Sequence, residues 1–109
     1  MVLDPASRWH TEIKMADGMI LGFDTPKCAF TVARTRGIEP SRMTFRGYYT
    51  QKPFPGDALS FAVGSDVLGP MGDDLVPVEP ELSDKFRKEH GARELHRAAD
   101  VTRELAEGL

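Results

Sequence analysis

The chain has 109 residues, 40% of them apolar, and a formal net charge of −3. That length suits one compact domain or two very small units of an ordinary folded protein. No apolar run reaches the roughly 18–20 residues of a membrane span, and no lysine–arginine stripe is present, which argues against a nucleic-acid partner.

In chain order, residues 8–15 alternate. Trp9, Thr11, Ile13 and Met15 fall on one face, and Arg8, His10, Glu12 and Lys14 on the other, as in a half-buried strand. Asp17-Gly18 marks a hairpin turn, and residues 19–24 form the returning strand. Residues 25–37 read as a helix, with Asp24 or Thr25 as cap, Pro26 in the first turn, Arg34 and Arg36 near the end and Gly37 as stop. Residues 43–49 are a third strand. The second half repeats the order: strand 57–64, a long loop, a short strand at 75–79 interrupted by Pro77, a helix at 80–91 and a strand at 92–98. Residues 100–109 suggest a short terminal helix capped by Asp100.

The expected fold is therefore α+β: two small ββαβ units, residues 1–50 and 51–109, with a short C-terminal helix on the second. The proline-rich "TQKPFPGD" (50–57) is read as the linker. Each helix is expected to cover its own sheet. One core would hold Trp9, Ile13, Phe23, Phe30 and Phe45, and the other Leu59, Phe61, Val63, Val76, Leu82 and Phe86.

The loop "VGSDVLGPMGDDLVP" (63–77) is longer than a hairpin needs, and such length often marks function. It carries Met71 between Pro70 and Gly72. Two readings stand: a flexible apolar lid on the sheet, or a thioether presented to a soft metal such as Cu(I). Asp66, Asp73 and Asp74 lack the oxygen-ligand spacing of a calcium loop and read as a solvated acidic loop. Cys28 falls near the third position of the first helix, where the macrodipole favours a thiolate, yet its apolar neighbours suit a partly buried, unreactive thiol. His10, His90 and His96 are spread out, and no pair has close metal-ligand spacing. His90 reads as a cation at a helix C-terminus, and Met19 follows a turn at an exposed position.

"VGSDVLGPMG", "ADGMILGFDTPKCAF" and "FRKEHGARELH" together resemble segments of the NosL family, accessory proteins of nitrous oxide reductase, in the same order along nearly the whole chain. The resemblance implies a fold of two ββαβ units and a Cu(I)-binding protein without catalytic activity. It also implies a copper-dependent reductase as client and an extracytoplasmic, commonly lipid-anchored setting, with the membrane reached only through an anchor outside this sequence. Met71 matches the methionine of the "PMG" motif and inherits a copper-ligand role; Met1, His10 and Cys28 are the further candidate ligands. The sequence departs from the family at two places. The Cys-x-x-Cys-Gly-Met segment that precedes the first strand is represented by Met1 alone, which implies either a start inside that motif or a divergent branch with weakened copper binding. The Cys-Met pair of the "FD…C" segment is Cys28-Ala29. A metal-free interaction module of the same fold, and a thiol enzyme centred on Cys28, are the competing readings.

Overall fold

A computed structural model describes residues 7–69 and 72–109. Strand β1 (Thr11–Lys14) and strand β2 (Ile20–Phe23) form an antiparallel hairpin with Thr11 opposite Phe23. Helix α1 (Pro26–Arg36) follows, and strand β3 (Met43–Arg46) returns on the other side of β1. The second half repeats this arrangement. Strand β5 (Ser60–Val63) lies between β6 (Val76–Val78) and β7 (Glu94–Arg97), and α2 (Ser83–His90) connects these two edge strands. In both halves the first strand is central, so the repeat read from the sequence is one of topology.

The proline-rich segment is not a free linker. Pro53–Pro55 forms strand β4, which extends the first sheet to the order β2-β1-β3-β4 by pairing antiparallel with β3. Two prolines in three residues suit an edge strand, because each lacks an amide to donate outward.

Local chemistry sets the helix limits. Thr25 caps α1 by accepting from the Cys28 amide, Pro26 takes the first turn, and Gly37 ends the helix at φ 68°. The second helix begins as a 3₁₀ turn at Pro80–Leu82 and ends at Gly91. The terminal helix α3 (Arg103–Glu107) is capped by Thr102, whose hydroxyl accepts from Leu105, and not by Asp100, which lies in the preceding 3₁₀ turn. Arg34 donates to the Val101 and Ala98 carbonyls, so it ties α1 to the segment before α3 as well as lying near the helix end.

The two expected cores are redistributed. Leu59, Phe61 and Val63 join Ile13, Phe30 and Phe45 in one cluster, which also takes in Ala98, Val101 and Ala106 from the C-terminal segment. Phe30, Phe45 and Phe61 meet at its centre, with ring centroids 5.3, 5.0 and 4.8 Å apart. These three rings come from α1, the first sheet and the second sheet, so both sheets bury their inner faces against one helix. Trp9 belongs to the smaller cluster of Ala62, Val76, Val78 and Phe86, together with Tyr48, Tyr49 and Val67. Leu82 is half-buried and belongs to neither cluster. Alternation along β1 does predict which residues face inward; it cannot say which helix covers them.

Candidate metal centre

The register of the first hairpin fixes one end of the molecule. Thr11 opposite Phe23 sets the start of β1 beside the end of β2, and only Asp24 and Thr25 separate β2 from α1. The long loop after β5 arrives at this same end. The Lys27 amide donates to Asp74 Oδ1 at 2.9 Å, and Lys27 Nζ donates to the Asp73 carbonyl at 2.9 Å. The start of α1 thus has two side-chain caps: Thr25 for the Cys28 amide and Asp74, from 47 residues away, for the Lys27 amide. Cys28 is half-buried and free, in the helical turn that Asp74 holds.

Asp66 and Asp73 are exposed, as a solvated acidic loop requires, but Asp74 is not. It is 4% exposed, accepts from the Leu75 amide as well, and its Oδ2 is buried without a hydrogen-bond partner among the described residues. Burial pushes its pKa from 3.8 up to about 6, outweighing the Leu75 and Lys27 amides, the Lys27 charge and the Thr25 hydroxyl, which all favour the ionised form. Gly69 packs against this carboxylate: a Cβ on Gly69 would lie 2.9 Å from Asp74 Oδ2. Gly69 and Gly72 in turn exchange two backbone hydrogen bonds, of 2.7 and 3.2 Å. They flank residues 70 and 71 in the sequence. Met71, like Met1, lies outside the described residues.

The other arm of the loop is tied to α2. The Asp66 amide donates to the His90 carbonyl, and Asp66 Oδ1 lies 2.8 Å from His90 Nδ1. His90 therefore does more than sit at a helix end: its Nε2 is 3.2 Å from the Tyr48 hydroxyl, and its ring packs on Phe86.

His10 is not on an open polar face. Its side chain is 11% exposed, its Nε2 lies 3.2 Å from Glu12 Oε2, and its Nδ1 is buried without a partner among the described residues. It shares a face of the first sheet with Glu12, and Glu12 pairs with Thr44. Phe45, the next residue, points the other way and stacks on Phe30 of α1. His10 is thus at the α1-entry end of the sheet, but on the face away from the helix that carries Cys28. Among the described residues no group of three or more His, Cys, Asp or Glu side chains could hold a metal ion.

Sequence reasoning passed over Asp74 and the Asp66–His90 pair. A signal for Asp74 was present: it directly precedes the apolar run Leu75-Val76-Pro77-Val78, and a carboxylate entering a buried strand needs donors. Cys28 and the loop base are brought together; His10 is held apart from them.

A comparison with curated proteins returned no match. Among solved structures, the fold is similar to the copper chaperone NosL from Shewanella denitrificans, with a TM-score of 0.72 and 16% identity over 85% of this chain and 78% of that chain. The sequence model of the NosL family matches residues 1–106, and the chain belongs to the NosL family.

Proposed function

We propose that this protein is a copper carrier: it binds Cu(I) as cargo, performs no catalysis, and passes the ion to a copper-dependent reductase, of which nitrous oxide reductase is the type its family resemblance implies. Support comes from family membership and from the copper chaperone whose fold it resembles. The observation that carries the reading is the Lys27–Asp74 bond, which joins the loop bearing the "PMG" motif to the helical turn bearing Cys28. In this proposal Met71 supplies a thioether and Cys28 a thiolate, both soft donors that suit Cu(I) better than hard cations. Met1 is a further soft donor in the proposal. His10, with Nε2 engaged by Glu12, keeps Nδ1 as its ligand-capable nitrogen and is tested with the others. An extracytoplasmic, lipid-anchored setting is part of the same proposal.

The test is an anaerobic competition titration against a Cu(I) chelator, on wild type and on Met71→Leu, Cys28→Ser, His10→Ala and Met1→Leu. Leucine keeps the apolar bulk of methionine and removes the sulfur. Weaker Cu(I) binding in Met71→Leu, at unchanged thermal stability, is the expected result. Equal affinity in wild type and Met71→Leu would reject Met71 as a ligand and leave it as an apolar lid. An absence of Cu(I) binding by wild type would favour a metal-free interaction module.

A further inference from the structure

A sheet edge exposes backbone groups that another strand can bond, and folded proteins normally blunt it. Three of the four edges of these two sheets are blunted. On β4, Pro53 and Pro55 have no N–H to offer. On β6, Pro77 has none either, and its carbonyl already accepts from the Tyr48 amide. The β7 edge carries Glu94, His96 and Arg97. The fourth edge, β2, reads Ile20-Leu21-Gly22-Phe23, with neither proline nor charge, and Met19 and Ile20 are each 60% exposed.

The hairpin fixes which groups of β2 point outward. The Met15 amide donates to the Met19 carbonyl at 2.7 Å, and bonded pairs alternate along an antiparallel ladder. Leu21 and Phe23 therefore bond β1, opposite Ile13 and Thr11, and the N–H and C=O of Ile20 and Gly22 point away from the sheet. Among the described residues neither makes a backbone bond outside the sheet. A cavity of about 380 Å³ lies alongside, lined by Met15, Met19 and Leu21 together with Ala16, Asp17 and Arg36.

We propose that this edge is where two copies of the chain pair, β2 against β2, antiparallel about a two-fold axis at Leu21. The strand is complementary to itself in that register. Each Ile20 exchanges backbone bonds with the second copy's Gly22, and its side chain covers a position that has none of its own. Met19 falls opposite the second copy's Phe23, and Leu21 opposite its Leu21, on the face that holds the cavity. On the other face each row across the joined sheet reads Lys14, Ile20, Gly22, Glu12, so its two ends carry opposite charge. A strand from a different protein would gain the hydrogen bonds but not this match on both faces. The pairing uses none of the residues assigned to copper and stands apart from that reading.

The test is sedimentation velocity of the wild type from about 10 μM to about 1 mM, with chelators present so that no metal bridges two chains. The mean mass should rise from one chain toward two, because a contact this short suits a weak, reversible dimer. Ile20→Lys puts a charge on the edge and should weaken association by about tenfold or more. Cysteine trapping checks the register, in a Cys28→Ser background with diamide as oxidant. Leu21→Cys should give a disulfide-linked dimer, since residues directly opposite stand about 4.5–5.5 Å apart at Cβ, within a small adjustment of a disulfide. Ile20→Cys should not, since the two copies of that residue lie diagonally, about 7–8 Å apart. Circular dichroism establishes that each variant is folded, and Ile20→Lys, at an exposed position, carries the test should Leu21→Cys not fold. A wild type that stays one chain throughout overturns the proposal and leaves the edge to a strand of another protein. So does a dimer that Ile20→Lys leaves intact, or a folded Leu21→Cys that cross-links no faster than Ile20→Cys.

Discussion

Asp66 and His90 meet across the gap between the long loop and the end of α2, with Oδ1 2.8 Å from Nδ1 and the Asp66 amide on the His90 carbonyl. The two residues belong to "GSD" and "EHG", two segments of the sequence 24 residues apart that share one contact. His90 passes the connection inward through Tyr48, whose ring stands edge-on to Phe86 at 5.2 Å. One arm of the loop thereby leans on the second cluster, and the other arm, through Asp74, on the first helix.

Because Asp66 is largely exposed, its contact with His90 should be weak, and it is an ion pair only where the imidazole is protonated. A double-mutant cycle on Asp66→Ala and His90→Ala should give a coupling of about 0.5–1 kcal/mol in low salt, and less at high ionic strength. His90→Ala alone should destabilise more than Asp66→Ala, since it also removes the ring from Tyr48 and Phe86. Urea denaturation of the four proteins at two salt concentrations checks both statements. A coupling that does not respond to salt would mean that the contact is a hydrogen bond from neutral imidazole and not an ion pair.

The shared core makes a prediction about cooperativity. Phe30 sits at the meeting of both sheets, and Phe30→Ala should cost about 3–5 kcal/mol. Trp9, the single tryptophan, packs in the other cluster and so reports on a different part of the molecule. Fluorescence and far-ultraviolet circular dichroism should give one coincident unfolding transition, shifted equally by Phe30→Ala. Independent units would leave the Trp9 transition unmoved.

The sequence carried the element order because it was written in local signals: the Thr25-Pro26 start and Gly37 stop of α1, the alternation around Ile13, and the Asp17-Gly18 turn. Three features escaped for one physical reason, which is that each depends on what lies far away in sequence. Pro53–Pro55 looks like a linker until β3 is beside it. Phe61 has the same inward periodicity whether it meets its own helix or Phe30. Asp74 reads as loop until α1 offers an amide. For the candidate site, Cys28 and the loop could be named from sequence, but their common location at the head of α1 could not.

Glu79 is a buried carboxylate of the opposite character to Asp74. It is 1% exposed and accepts from the Tyr49 amide at 3.2 Å and the Thr50 amide at 2.8 Å. Burial pushes its pKa up, yet these and neighbouring hydrogen bonds more than compensate, and the net direction is downward from 4.5. A lowered carboxylate pKa stabilises the fold above 4.5, and that contribution is lost as pH falls through the lowered value. Glu79→Ala should destabilise by about 2 kcal/mol at neutral pH, because two amides lose a charged acceptor. Gly47→Ala should also destabilise, since an added Cβ would stand 2.7 Å from the Glu79 carboxyl carbon. Thermal melts at pH 7 and pH 3 test this: the deficit of Glu79→Ala relative to wild type should shrink at the lower pH.

Asp74 should act in the reverse sense and in a different window. Its pKa is raised from 3.8 to about 6, so between those values the folded chain binds more protons at this site than the unfolded chain. Stability from this group is fully present below 3.8 and is lost as pH rises through about 6. The full difference corresponds to about 3 kcal/mol, the cost of ionising a carboxylate held away from water. Lys27 faces it from α1, with its amide on Oδ1 and its ammonium on the Asp73 carbonyl, and the neighbouring backbone of Gly69 supplies no donor to Oδ2. Asp74→Asn resembles the protonated acid and cannot ionise. It should therefore be more stable than wild type at pH 8 and close to it at pH 4, and it should flatten the dependence of stability on pH between 4 and 7. Urea unfolding across that range, on both proteins, measures the difference directly. A wild type that grows more stable relative to Asp74→Asn as pH rises would show that the Lys27 and Leu75 amides outweigh desolvation, and that the sign assigned to this carboxylate is wrong.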